Sequence, residues 1–121
     1  MKVAIIGSRS IKDPKVLDVI DKYLSVYVGK NLTLLMGDAK GVDELTQHYA
    51  DAHNLDVVKF LPYHLLDNKT EFDSRHFFIR TKQLVDNADR VLAIWDTKSN
   101  GTEYAIKYSQ KQGKPTTIIK L

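Results

Sequence analysis

The chain contains no cysteine, which excludes disulfides, thiol catalysis and thiolate metal sites together and fits a reducing compartment. Proline is scarce at three residues and glycine occurs only six times, so no Pro/Gly-rich linker, repeat or low-complexity segment divides the sequence. Long hydrophobic runs are missing too. The opening Met1 to Gly7 is too short an apolar stretch for a signal peptide, and nothing approaches the roughly 20 residues of a membrane span. No block of like charge stands out: the net charge is only +3 and the pI about 9.0. A mild positive bias suits a phosphate-bearing partner without predicting DNA binding. His48, His53, His64 and His76 are scattered, with no i, i+4 pair beside a carboxylate, so no zinc site is expected. These absences lead to the expectation of a soluble, cytoplasmic protein without metal, cofactor or membrane contact.

What is present is a repeated alternation of strand and helix patterns. At 121 residues the chain suits one domain, residues 1–121, with enough length to bury a core unaided. Lys2 to Ile6 reads as a β-branched parallel strand. Asp13-Pro14 opens a helix, with Val16, Leu17, Ile20, Tyr23, Leu24 and Tyr27 on one face and Gly29 as its stop. A strand over Leu32 to Met36 precedes a helix over Val42 to His53, with Leu45, Tyr49 and Ala52 on its inner side. Asp56 to Leu61 reads as a third strand, halted by Pro62. Tyr63 to Ser74 has no clean period and reads as the longest irregular connection. A helix follows over Arg75 to Asn87, its inner face assigned to Phe78, Ile79, the stem of Lys82, Leu84 and Val85. Val91 to Trp95 is an apolar run suited to a strand covered on both faces. A helix over Thr102 to Gln112 and a strand over Pro115 to Leu121 complete the chain. Such alternation argues an α/β fold: a five-stranded parallel sheet between helices, for which right-handed crossovers make 3-2-1-4-5 the simplest strand order.

In that order the direction of build reverses between the first and fourth strands, where ligands of open α/β sheets bind. The loops gathered there are rich in small and polar residues. Gly7, Ser8 and Arg9 combine backbone approach, hydroxyl donors and a forked guanidinium suited to phosphate. In Gly37-Asp38-Ala39-Lys40-Gly41-Val42-Asp43, glycines flank a charged pair, and Asp43 can accept from a ribose diol or simply favour the start of its helix. Asp96 leads into Ser99, Asn100, Gly101 and Thr102, a turn able to cap the next helix and to present its unpaired amides to an anion. Neither a Gly-x-Gly-x-x-Gly dinucleotide fingerprint nor a Walker-type ending is present. Aromatic residues offer less: Phe77 and Phe78 read mainly as core, with one able to stack on a base, and Trp95 reads as core or as a wall for the ligand.

The order of Gly7-Ser8-Arg9, Gly37 to Asp43, Arg80, Ala88 to Asp96 and Ser99 to Thr102 is similar to the SLOG superfamily. That group joins the DNA-processing protein DprA/Smf, the LOG enzymes and bacterial YspA/YpsA-like proteins. The chain most resembles the small YspA-like branch of bacteria and their phages. The resemblance implies a Rossmann-like three-layer fold, a single SLOG-like nucleotide-binding domain, and a ligand over Gly7, Ser8, Arg9, Gly37, Asp38, Lys40, Gly41, Asp43, Arg80, Asp96, Ser99, Asn100, Gly101 and Thr102. The arginine matched by Arg80 is usually followed by asparagine in relatives; here Thr81 follows. LOG-type phosphoribohydrolases carry a Pro-Gly-Gly-x-Gly-Thr-x-x-Glu turn, but the position of that glutamate is Ala105 here. Glu103 stands about 200° away around the helix and is a weak substitute. The leading expectation is therefore a binder of a nucleotide or ADP-ribose-like ligand, acting as a sensor or as a signal-sequestering module, possible for a phage protein. The alternatives are a LOG-like phosphoribohydrolase and a single-stranded DNA binder, the latter disfavoured by the dispersed charge. Relatives also often self-associate, so a homo-oligomer is allowed.

Overall fold

The computed structural model describes residues 1–27, 29–61 and 75–121. Its strands are β1 (Lys2–Gly7), β2 (Thr33–Met36), β3 (Asp56–Lys59), β4 (Arg90–Trp95) and β5 (Thr116–Lys120). Its α-helices are α1 (Lys15–Leu24), α2 (Val42–His53), α3 (Arg75–Asp86) and α4 (Asn100–Lys111), with a 3₁₀ turn over Ser25–Tyr27 after α1. The irregular connection expected over 63–74, with His64 in it, lies outside the described residues, as does the stop at Pro62. All pairings are parallel and the strand order is 3-2-1-4-5. The Rossmann-like α/β fold expected from the strand–helix alternation is therefore the one observed.

The central strand β4 holds Val91, Leu92, Ala93 and Ile94 with no exposed surface, because it is paired on both edges and covered on both faces. The edge strands β3 and β5 are more open and carry Lys59 and Lys120, charges that discourage pairing with another chain. On one face, α1 and α2 pack Val16, Ile20, Leu24, Val42, Tyr49 and Ala50 against Val3, Ile5, Leu34, Leu92 and Ile94. On the other, Leu84 and Val85 of α3 meet Ala4, Leu35, Ala88 and Val91, with Tyr108 of α4 alongside. These faces use alternate residues of the same strands, as the period of two requires.

Some details differ from the sequence reading. The start of α1 falls one residue later than Asp13-Pro14 implied: Pro14 stands at its N-cap with no side-chain cap bond, while the Asp13 carboxylate accepts from the Lys15 amide at 3.0 Å. The inner stripe of α2 is Val42, Thr46, Tyr49 and Ala50, while Ala52 is exposed; the i, i+4, i+7, i+8 spacing from Val42 outweighs the hydrophobicity of a small side chain. On α3, Leu84 and Val85 are buried as expected, but Phe78 and Ile79 remain 38% and 37% exposed. The sheet beneath that end of α3 has already given way to loops. Among the described residues no helix is long and apolar enough to cross a membrane.

Candidate functional site

Beyond the carboxyl ends of β1, β2 and β4 the chain turns in loops that interlock through Ser8. Its register places Gly7 opposite Ile94, and the Ser8 amide donates to the Ile94 carbonyl at 3.1 Å. The Ser8 carbonyl accepts from the amides of Ile11 (3.3 Å) and Val42 (3.4 Å). Its hydroxyl oxygen accepts from the Asp96 amide at 3.0 Å and lies 3.4 Å from the Thr102 hydroxyl. Ser8 is only 1% exposed: its backbone carbonyl ties the first strand's loop to the start of α2, and its hydroxyl ties the same loop to the β4–α4 connection. A larger residue would have no room there.

Glycines permit this closeness. A Cβ on Gly7 would overlap the side chain of Val42, and one on Gly37 would collide with the Arg80 guanidinium and the Asp43 carboxylate. Gly41 has φ +74, and its Cβ would lie 2.5 Å from the Arg9 carbonyl, so here both the backbone conformation and the contact demand glycine.

The β4–α4 connection is organised by Asp96. One carboxylate oxygen accepts from the amides of Lys98 (2.8 Å) and Ser99 (2.7 Å), and the other from the hydroxyls of Ser10 and Ser99. The Ser10 hydroxyl, followed by those amides, holds the Asp96 carboxyl well below the usual carboxylate range. Ser99 does occupy the N-cap of α4, but its side chain makes no cap hydrogen bond. The expected capping is corrected to a loop bond, because Asp96 competes successfully for the same hydroxyl. Trp95 is half-buried and donates its indole N–H to the Ser99 carbonyl at 3.1 Å, bracing the loop from behind without lining the cavity.

The loops and α3 enclose a cavity of about 320 Å³. Gly7, Ser8 and Arg9 line it from β1, Gly37 and Asp43 from the β2–α2 side, and Ser99, Gly101 and Thr102 from α4. From α3 come Phe77, Arg80, Thr81 and Leu84, spaced i, i+3, i+4 and i+7 on one helical face, together with Phe78. Of the remaining expected residues, Gly41 packs beneath the Arg9 carbonyl and Asp38 stands 3.8 Å from the Arg80 guanidinium. Asp96 anchors the loop, whereas Lys40 and Asn100 are exposed and do not line the cavity. Glu103 also lies outside it, bonded at 2.8 Å to Lys107 one turn along the helix, and Ala105 is fully buried. Of this wall the sequence reading named Arg80 and allowed one of Phe77 and Phe78 to stack on a base, but not Thr81 or Leu84; the spacing of Phe77, Thr81 and Leu84 around Arg80 was the available signal.

The charges in the cavity are unevenly matched. Asp43 is 6% exposed, and burial raises its pKa to about 6, against the lowering effects of the Ala39 amide (3.1 Å) and Arg80. Burial lowers the pKa of Arg80, while Asp43 and Asp38 oppose that shift. Arg80 thus sits among acids, and its Nη1 also reaches the Phe60 carbonyl at 3.5 Å. Arg9 differs: among the described residues it forms no ion pair, and its guanidinium stands 5.5 Å from the centre of the Phe77 ring. Arg80 lies 5.7 Å from the same ring. A guanidinium steadied by an aromatic ring and outside any ion pair among the described residues suits an anionic ligand.

Two solved structures share the fold. A protein named TM1055 superposes with a TM-score of 0.66 at 23% identity, covering 95% of this chain and 71% of that one. DNA processing protein A from Helicobacter pylori, a structure concerned with its single-stranded DNA binding mode, superposes with a TM-score of 0.72 at 24% identity, covering 98% of this chain and 64% of that one. At these identities the likeness is one of fold. No curated protein matches the sequence. A family model does match, over residues 1–64, a span that holds β1, β2, α2 and the glycine loops between them. The chain therefore belongs to the YspA, cpYpsA-related SLOG family.

Proposed function

We propose that the protein binds a nucleotide or nucleotide-derived ligand of the ADP-ribose type, with the anionic end at Arg9 and the first turn of α4. The reading is carried by one observation: Arg9, which forms no ion pair among the described residues, faces the same cavity as that helix start and the small residues Ser8, Gly101 and Thr102. The first amides of a helix lack intrahelical partners and attract anions. A cavity of about 320 Å³ lies within the range of small-molecule sites, roughly 300–1,000 Å³. Asp43, buried beside Arg80, is the acceptor for ligand hydroxyls. Such a binder acts as a sensor or sequesters a signal, and the cysteine-free sequence supports a cytoplasmic setting.

Isothermal titration against nucleoside mono- and diphosphates, ADP-ribose and oligodeoxythymidylate tests the assignment. Saturable binding of a nucleotide or ADP-ribose is expected, weakened at least tenfold by Arg9→Ala, as loss of a charge-assisted contact implies. Absence of binding to every mononucleotide and to ADP-ribose overturns it. Preferential binding of the oligonucleotide would make the site a single-stranded DNA groove. Release of free base on long incubation would make it a phosphoribohydrolase, for which Glu103 is poorly placed.

A further inference from the structure

Resting on that reading, we infer that Phe78 is the stacking platform for the ligand's base and so sets which end of the nucleotide lies where. Phe77 and Phe78 are consecutive on α3 and point about 100° apart, yet both line the cavity. It therefore wraps around that corner of the helix. The Phe77 ring is engaged, with the guanidiniums of Arg9 and Arg80 at 5.5 and 5.7 Å from its centre. The Phe78 ring is turned towards α4, where Tyr104 packs on it edge-to-face at 4.6 Å and 62°. That contact fixes the orientation of Phe78 while leaving the residue 38% exposed.

An aromatic side chain held in place and partly open to a cavity that also holds a guanidinium is positioned to stack on a planar group. The surrounding chemistry says what that group is. Beside the Phe77 ring, the Arg9 guanidinium, in no ion pair among the described residues, suits an anion; the Phe78 face suits a planar, weakly polar group. Asp43, an acceptor for hydroxyls, lies beside Arg80 in the same cavity. Phosphate, sugar and base together satisfy that set, whereas inorganic phosphate, a sugar phosphate or a dicarboxylate would leave Phe78 uncovered. The ligand class narrows to nucleotides with an intact base, and the base is recognised by its face.

The test compares adenosine monophosphate with ribose 5-phosphate by titration on the parent protein, Phe78→Ala and Phe78→Tyr, with circular dichroism and sedimentation on each. The parent is expected to bind adenosine monophosphate at least tenfold more tightly than ribose 5-phosphate, the order of effect of one base–aromatic stack. Phe78→Ala should remove most of that preference, and Phe78→Tyr, which keeps the ring, should restore it. An undiminished preference in Phe78→Ala overturns the inference while nucleotide binding itself stands. So does a parent that binds both ligands equally well, or an Ala variant whose only change is a lost oligomer. A parent that binds neither these two nor the other nucleotides removes the underlying reading as well.

Discussion

The two faces of the sheet are built differently. Under α1 and α2 the strands contribute Val3, Ile5, Leu34, Leu92 and Ile94, and the helices answer with branched or aromatic side chains. Under α3 and α4 the same strands contribute Ala4, Leu35 and Val91, and a further alanine, Ala88, fills the layer. The first face is filled mainly by large residues, although a second cavity lies against Leu24 and Tyr49 at its margin. The second uses small residues near its base and, at the loop end, leaves Phe78 and Ile79 more than one-third exposed. The candidate site lies at the loop end of that second face, lined there by Phe77, Phe78, Arg80 and Leu84 of α3. Incomplete packing is costly in a core, but it is expected at the mouth of a cavity.

Truncating one residue in each layer should widen the contrast. Ile20 has no exposed surface and sits within the first layer. Ile20→Ala should destabilise by about 4 kcal/mol, towards the upper end of the range for such changes, because the surrounding side chains cannot collapse into the void. Leu84 is equally buried but also lines the cavity. The space left by Leu84→Ala joins an existing opening, so about 2 kcal/mol is expected. Urea unfolding of both variants measures the difference, and equal losses would mean that the two layers are equally closed.

Much of this arrangement was legible beforehand, and the parts that were not share a cause. The order of strands follows from alternation and crossover handedness. The bounds of α2 follow from Gly41 before it and from His53-Asn54, where Asn54 takes the left-handed conformation at φ 53. The small residues of the loops were readable because tight turns restrict composition so strongly. Burial of Asp43 was not readable. An acid in a first helical turn normally faces water, and what covers this one includes Arg80, distant in sequence and admitted only because residue 37 has no side chain. The destination of the Ser99 hydroxyl was equally hidden. A cap and a loop bond use the same residue type, and the choice depends on where Asp96 is held by Ser10 across the sheet end. Local pattern names the candidates; contacts between distant segments decide among them.

The buried acid gives the comparison a pH-dependent form, since no ionisable group is buried in the first layer's core cluster apart from the phenol of Tyr49. Asp43 has a pKa of about 6 in the fold, above its ordinary value near 3.9. Between those values the folded state holds more protons than the unfolded chain, so the contribution of this group is fully present below about pH 4 and falls as pH rises to about 6. Above that the loss is complete, and it amounts to about 2–3 kcal/mol. Asp43→Asn cannot ionise and its amide oxygen can still accept from Ala39. Relative to the parent it should therefore gain stability between pH 4.5 and pH 8, by up to about 2 kcal/mol once the weakened partnership with Arg80 is deducted. Chemical denaturation at the two pH values checks this, and a pH-independent difference would place Asp43 in water.

The smallest effect is expected at Glu103, on the second side of the sheet but outside the cavity. Its carboxylate is bonded to Lys107 at 2.8 Å across one turn of α4, with both side chains substantially exposed. An i, i+4 pair of this kind contributes about 0.3–0.5 kcal/mol. Its position in the first turn of the helix adds a macrodipole contribution of similar size, about 0.3–1 kcal/mol at low salt. Glu103→Gln should accordingly cost about 0.6–1.5 kcal/mol in all, with the loss shrinking as salt screens both interactions. Nucleotide affinity should be unchanged or slightly stronger, because a negative charge is removed from the helix end proposed to receive the anion. A large loss of affinity, or of any base-releasing activity, would instead bring this carboxylate into the site and make the second face a catalytic one.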